Sequence, residues 1–194
     1  MILSQLAWFA VEDSRVEGPV DYLLREQMAD GGWNCRRPEG AVHSSFHTTT
    51  SVVEGLELYG DAGRPRAGEA LRAAARGREF LAEHHLFRSH TTGRSVATEM
   101  TLLHFPPQWH HDVLRGLELF RAARAARDPR LEEAVERVRS RRGPDGRWPL
   151  ARPYPGAVHF TLELAGRPSR MITLHALRVL AWWDARGAPE RRRA

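Results

Sequence analysis

Residues 109–112 read Trp-His-His-Asp, which sets two imidazoles and a carboxylate side by side. An imidazole changes charge near neutral pH, and a neighbouring carboxylate orients it and stabilises its charged form. His110, His111 and Asp112 are therefore candidates for proton transfer, that is, general acid–base catalysis. Trp109 adds a flat apolar face that a substrate could cover. Upstream, His43, Phe46 and His47 form a second group, and Cys35 precedes them in a Cys-x7-His-x3-His pattern. His43 and His47 fall one helical turn apart, so Cys35, His43 and His47 are an alternative zinc set. The competing reading is a free turn cysteine with capping histidines, and no cofactor. Arg170, in Gly-Arg-Pro-Ser-Arg, is a cation placed to meet an anionic group. Glu99 is an isolated acid with no visible partner.

These residues need elements to hold them, and the chain supplies the elements by repetition. Residues 13–33, DSRVEGPVDYLLREQMADGGW, align without a gap on residues 128–148, DPRLEEAVERVRSRRGPDGRW. Asp13, Arg15, Glu17, Val20, Asp30, Gly31 and Trp33 recur as Asp128, Arg130, Glu132, Val135, Asp145, Gly146 and Trp148. Such a repeat dictates how the rest is read. Each copy predicts an amphipathic helix followed by a turn, with Leu131, Ala134, Val135 and Val138 on one stripe. Gly18-Pro19 departs from the second copy, and a proline there kinks the helix or starts it late.

A second helix type occupies 48–60, 110–122 and 170–182. Aligning Gly55, Gly116 and Ala176 gives spacings of 61 and 60 residues. These helices are apolar around more of their circumference, as a helix contacted on several sides should be. The unit is thus an outer helix, a long turn and an inner helix, in three copies over 13–60, 64–126 and 128–187. Residues 1–12 read as the tail of a preceding inner helix, because LAWFAVED resembles LAWWDARG at 180–187. Residues 188–194 read as a basic tail. The long turns 29–44, 86–107 and 146–168 carry Phe105, Tyr154 and Phe160, which could cover an apolar cleft.

Composition bounds the rest. An apolar fraction of 42% over 194 residues suits a single folded domain, neither disordered nor membrane-spanning. The lone cysteine and the absence of a basic, cleavable start point to the cytoplasm. The net charge is +5, and all 29 basic residues are arginine. They alternate with acids on helical faces, which reads as solvated surface and excludes a nucleic-acid footprint.

The turn QMADGGW, with Gln27, Gly31 and Trp33, resembles the Gln-x-x-x-Gly-x-Trp turns of the terpenoid cyclase and protein prenyltransferase superfamily. RGPDGRW keeps Gly146 and Trp148 but has Arg142 where the pattern has glutamine. The resemblance implies an all-α fold, an α/α toroid of which this chain makes about half a ring. It implies binding or processing of an isoprenoid or similar apolar substrate. A homodimer or a missing N-terminal half would then complete the ring. His47 corresponds to the zinc histidine of the prenyltransferases and so joins the catalytic candidates, with a zinc-dependent prenyl-type transferase as an alternative. The Asp-x-Asp-Asp acid cluster of the cyclases has no counterpart here, which leaves catalysis open. Inner-helix N-termini would share one end of the ring, giving Trp109, Arg170, His43 and Phe46 as substrate-binding candidates. A non-catalytic helical-repeat interaction module is the rival from another class.

Overall fold

The computed structural model describes residues 1–154, 156 and 158–187, so the expected basic tail at 188–194 lies outside the described residues. The described residues are mostly helical, with seven α-helices and one two-stranded ribbon. In chain order the helices are α1 (Ile2–Trp8), α2 (Glu17–Arg25), α3 (Phe46–Asp61), α4 (Ala67–Glu83), α5 (Val113–Ala122), α6 (Glu132–Arg139) and α7 (Arg170–Gly187). The ribbon pairs β1 (Trp148–Pro149) antiparallel with β2 (Pro168–Ser169), which closes the base of the third long turn. No helix among the described residues is long and apolar enough to cross a membrane.

The chain divides into two compact units, Met1–His84 and His85–Ala194. In the first, α3 packs on α1 and α4 around Val53, Leu56, Tyr59, Ala74, Phe80 and Leu81. Ala70, Ala73, Ala74 and Gly77 give α4 a small-residue face. A Cβ on Gly77 would stand 2.6 Å from Val53 and 2.8 Å from Trp33, so only glycine admits this close approach. The short α1 buries Leu3 and Ala7 while Ile2 and Trp8 stay exposed. In the second unit, α5 packs on α6 and α7 around Leu117, Leu131, Val135, Val138, Ile172, Val179 and Trp183.

The repeat is a repeat of hydrogen bonds as well as of letters. Asp13 and Asp128 each cap a short 3-10 turn, accepting from the amides of Arg15 at 2.8 Å and Arg130 at 2.9 Å. Each is gripped by the guanidinium two residues on, at 2.6 Å in both copies. α2 and α6 follow at once. Pro19 falls in the first turn of α2, where its missing N–H leaves nothing unpaired.

At the far end, Trp33 and Trp148 are both buried, and each indole donates to a carbonyl of the preceding helix. Trp33 Nε1 reaches Leu23 at 2.7 Å and Trp148 Nε1 reaches Val138 at 2.6 Å. Gly31 and Gly146 take φ of +90° and +79°, a conformation that L side chains rarely adopt. Gln27 Nε2 donates to the Gly31 carbonyl at 2.6 Å, and Arg142 Nε donates to the Gly146 carbonyl at 3.0 Å. Arginine therefore performs the glutamine's task in the second copy.

Each tryptophan amide then donates at 3.0 Å to a threonine hydroxyl in the first turn of the next inner helix, Thr49 in α3 and Thr173 in α7. This pairing sets α3 against α7 three residues away from the Gly55–Ala176 alignment. That is nearly one helical turn, so the same face is presented.

Candidate functional site

The second long turn delivers its residues to the start of α5. Asp112 is the helix cap: Oδ1 accepts the Arg115 amide at 2.9 Å, and Oδ2 accepts the His104 amide at 3.0 Å. The carboxylate is 2% exposed, so these bonds replace water rather than supplement it. The imidazole seated on it is that of His104, with Nδ1 at 3.4 Å from Oδ2. Arg115 adds a guanidinium bond to the His110 carbonyl at 2.7 Å, which fixes the backbone between the two histidines.

Four rings then stack in a column. Trp109 lies on His110 at 3.7 Å, His110 on Tyr154 at 3.4 Å, and Tyr154 on His104 at 4.3 Å between centroids. The column runs from Trp109, 53% exposed, to His104, 6% exposed. Its third ring comes from the long turn between β1 and β2.

The protons follow from the surroundings. Burial, then the charges of Asp112 and Glu99, push the Tyr154 phenol well above its ordinary range. It stays protonated, and its hydroxyl lies 3.1 Å from His104 Nδ1. The His110 imidazole shifts too: burial first, then repulsion from His104 when that ring is charged and from Arg115, lower its pKa and keep it neutral. The site thus combines a neutral imidazole in the column, His110, with a buried His104–Asp112 pair beneath it.

The other expected residues take other places. His111 is fully buried, and its Nε2 meets the Leu86 carbonyl at 2.6 Å; since a carbonyl only accepts, Nε2 carries the hydrogen and the ring anchors the turn. Phe46 is core, 7% exposed and 5.7 Å from the rings of both Phe80 and His84. That burial removes the face that a substrate-binding role requires. His43 and Cys35 are exposed, and His47 is half-buried in the first turn of α3. Among the described residues no group of three His, Cys, Asp or Glu side chains, Cys35, His43 and His47 included, is placed to hold a metal ion. The Arg170 side chain is exposed, and its amide donates to Glu163 at 2.7 Å, which makes this residue part of the capped start of α7. Ser169 completes that cap by accepting the Ile172 amide at 2.9 Å.

A half-buried acid–base pair joins α5 to α7: Glu118 lies 3.3 Å from His175 and 2.8 Å from Arg121. Burial would raise the Glu118 pKa, but the bonds from His175 and Arg121 outweigh it and hold the carboxyl below its ordinary value. Folding stability from this group is therefore complete above the unfolded glutamate pKa and is lost as pH falls through the lower folded value. Glu118→Gln is expected to cost about 1.5–3 kcal/mol at neutral pH, the worth of hydrogen bonds to a charged group. It should also flatten the acid limb of the stability curve. Urea melts from pH 7 to pH 3 would show both, and parallel curves for variant and parent would refute the assignment.

Two of these partners were hidden in the sequence. Tyr154 stands 42 residues from Asp112, and only its place in a long turn marked it. His104 was one of several histidines before α5, with nothing in its spacing to single it out. No family model, curated protein or solved structure matches this chain.

Proposed function

We propose that the chain binds an isoprenoid or similar apolar substrate on the ring column at the start of α5, with the His104–Asp112 pair available for acid–base chemistry. The observation that carries this reading is the apolar surface on the segments that build the column. Trp109 is 53% exposed. The turn that supplies Tyr154 also exposes Val158, Phe160, Leu162 and Leu164, alternate residues of one short stretch. Exposed apolar groups gathered in this way mark binding surfaces. The stacked rings add π faces that attract positive charge developing on an alkene. On this reading the helix pairs belong to an α/α toroid of the terpenoid-cyclase type. The paired turns around Trp33 and Trp148 support that reading by sharing one hydrogen-bond plan.

Calorimetric titration with farnesol tests the proposal. Binding with a negative heat-capacity change is expected, weakened roughly tenfold or more by Trp109→Ala. Absence of binding, or equal binding by the variant, would sink it.

A second reading, the helical-repeat interaction module, draws on α7. Leu174 and Leu177 are 49% and 47% exposed, whereas Val53 and Leu56 in α3 and Leu114 and Leu117 in α5 are buried. A homodimer in sedimentation velocity, broken by Leu174→Glu with Leu177→Glu and indifferent to farnesol, would favour it.

A further inference from the structure

The first unit holds a groove of about 770 Å³ between α2 and α4, lined by one face of each helix. α2 contributes Asp21, Leu24 and Arg25, and α4 contributes Arg72, Ala73 and Arg76, with Arg66 and Glu69 at its start. Charge divides the groove into two ends. At one end Arg66 bridges Asp21 and Glu69, which neutralise it. One to two turns further along the two helices come Arg25, Arg72 and Arg76, with Leu24 and Ala73 in the same lining, while the carboxylates of the lining, Asp21 and Glu69, are both bonded to Arg66.

The partners of those three arginines are weak. Arg76 donates to the neutral Gln27 side chain. Arg25 reaches Glu26 only at 3.5 Å, and Glu26 is shared with Arg37 at 3.0 Å. Arg72 makes no hydrogen bond or ion pair among the described residues; its charge is felt at Glu69. Three guanidiniums on two rigid helices thus face one groove with most of their donors unspent. A planar fork of donors matches the oxygens of a phosphate in a bidentate manner.

We infer that the cationic end of this groove binds the phosphate group of a small soluble phosphate ester or diphosphate, through Arg25, Arg72 and Arg76. Mere surface charge would bind any anion weakly and equally at any arginine, whereas convergence of three at one groove selects a multivalent one. The site lies wholly in the first unit and is independent of the ring column, so either can fail without the other.

The test is calorimetric titration of the whole chain with inorganic pyrophosphate, repeated with acetate at matched ionic strength. The parent is expected to bind pyrophosphate and not acetate. Arg25→Gln with Arg72→Gln is expected to lower the affinity roughly tenfold or more, as loss of two charge-assisted contacts should. Arg147→Gln with Arg152→Gln removes the same charge from exposed positions in the second unit and is expected to change nothing. Circular dichroism checks that each variant is folded, and Arg72→Gln alone, whose side chain bonds to nothing, serves if the double variant is not. No binding by the parent, or equal losses in the groove and control variants, would overturn the inference.

Discussion

Trp148→Ala is expected to destabilise the second unit by about 3–5 kcal/mol, the usual cost of emptying a buried aromatic site. That is a large share of the total stability of an ordinary domain. The side chain is fully buried between α6 and α7, and its indole N–H satisfies the Val138 carbonyl at the end of α6. Its removal leaves a cavity and takes the indole donor from the Val138 carbonyl, which keeps only the Arg141 amide at 3.3 Å. Trp148→Phe separates the two effects: the ring stays, the N–H goes, and a loss of about 0.5–1.5 kcal/mol remains. Trp33→Ala should act equally on the first unit, through Leu23, Gly77 and Val53. Urea unfolding followed by hydrogen exchange would assign each loss to its unit. A loss under about 1 kcal/mol for either alanine variant would contradict the view that these turns hold the helix pairs together.

Asp112→Ala is the second large effect, expected at about 2–4 kcal/mol. One part is the lost helix cap, about 0.5–2 kcal/mol. The other is the buried His104 amide left without an acceptor, about 1–3 kcal/mol. Asp112→Asn keeps one carbonyl oxygen and therefore loses one bond, so it should fall between the parent and alanine. Hydrogen exchange of the His104 amide reads the lost bond directly. An amide that stays equally protected in the alanine variant would mean that Asp112 does not hold it.

The two predictions rest on features of different legibility. The tryptophan turns announced themselves, because local chemistry produces them: glycine for the positive φ, aspartate for the turn, tryptophan to reach back over its own helix. The helical segments followed from periodicity, and the described residues are mostly helical. The register of the inner helices was less legible. Gly55 and Ala176 look equivalent, yet the bonds from Trp33 and Trp148 pair Thr49 with Thr173, since the third long turn is longer than the first. Arg142 read as a departure from the motif because residue identity was compared, whereas its donor geometry is what the turn uses.

The site was legible only in part. Asp112 and His110 stood out as neighbours, but chain adjacency does not decide which imidazole reaches a carboxylate. The cap at Asp112 turns the backbone so that the amide and ring of His104 meet it. His111 points to the Leu86 carbonyl, a partner 25 residues away that no local pattern reveals. Phe46 looked like a cavity residue because it begins an inner helix, and long-range packing against Phe80 in α4 decided otherwise.

The central claim is that the ring column and its exposed apolar turn hold an apolar ligand. Native mass spectrometry of the purified chain under gentle desolvation tests it most directly. The account predicts a bound apolar species, or retention of added farnesol, which Trp109→Ala loses while keeping the same charge-state distribution. A bare chain that retains no farnesol, under conditions in which a known lipid-binding protein keeps its ligand, would contradict it.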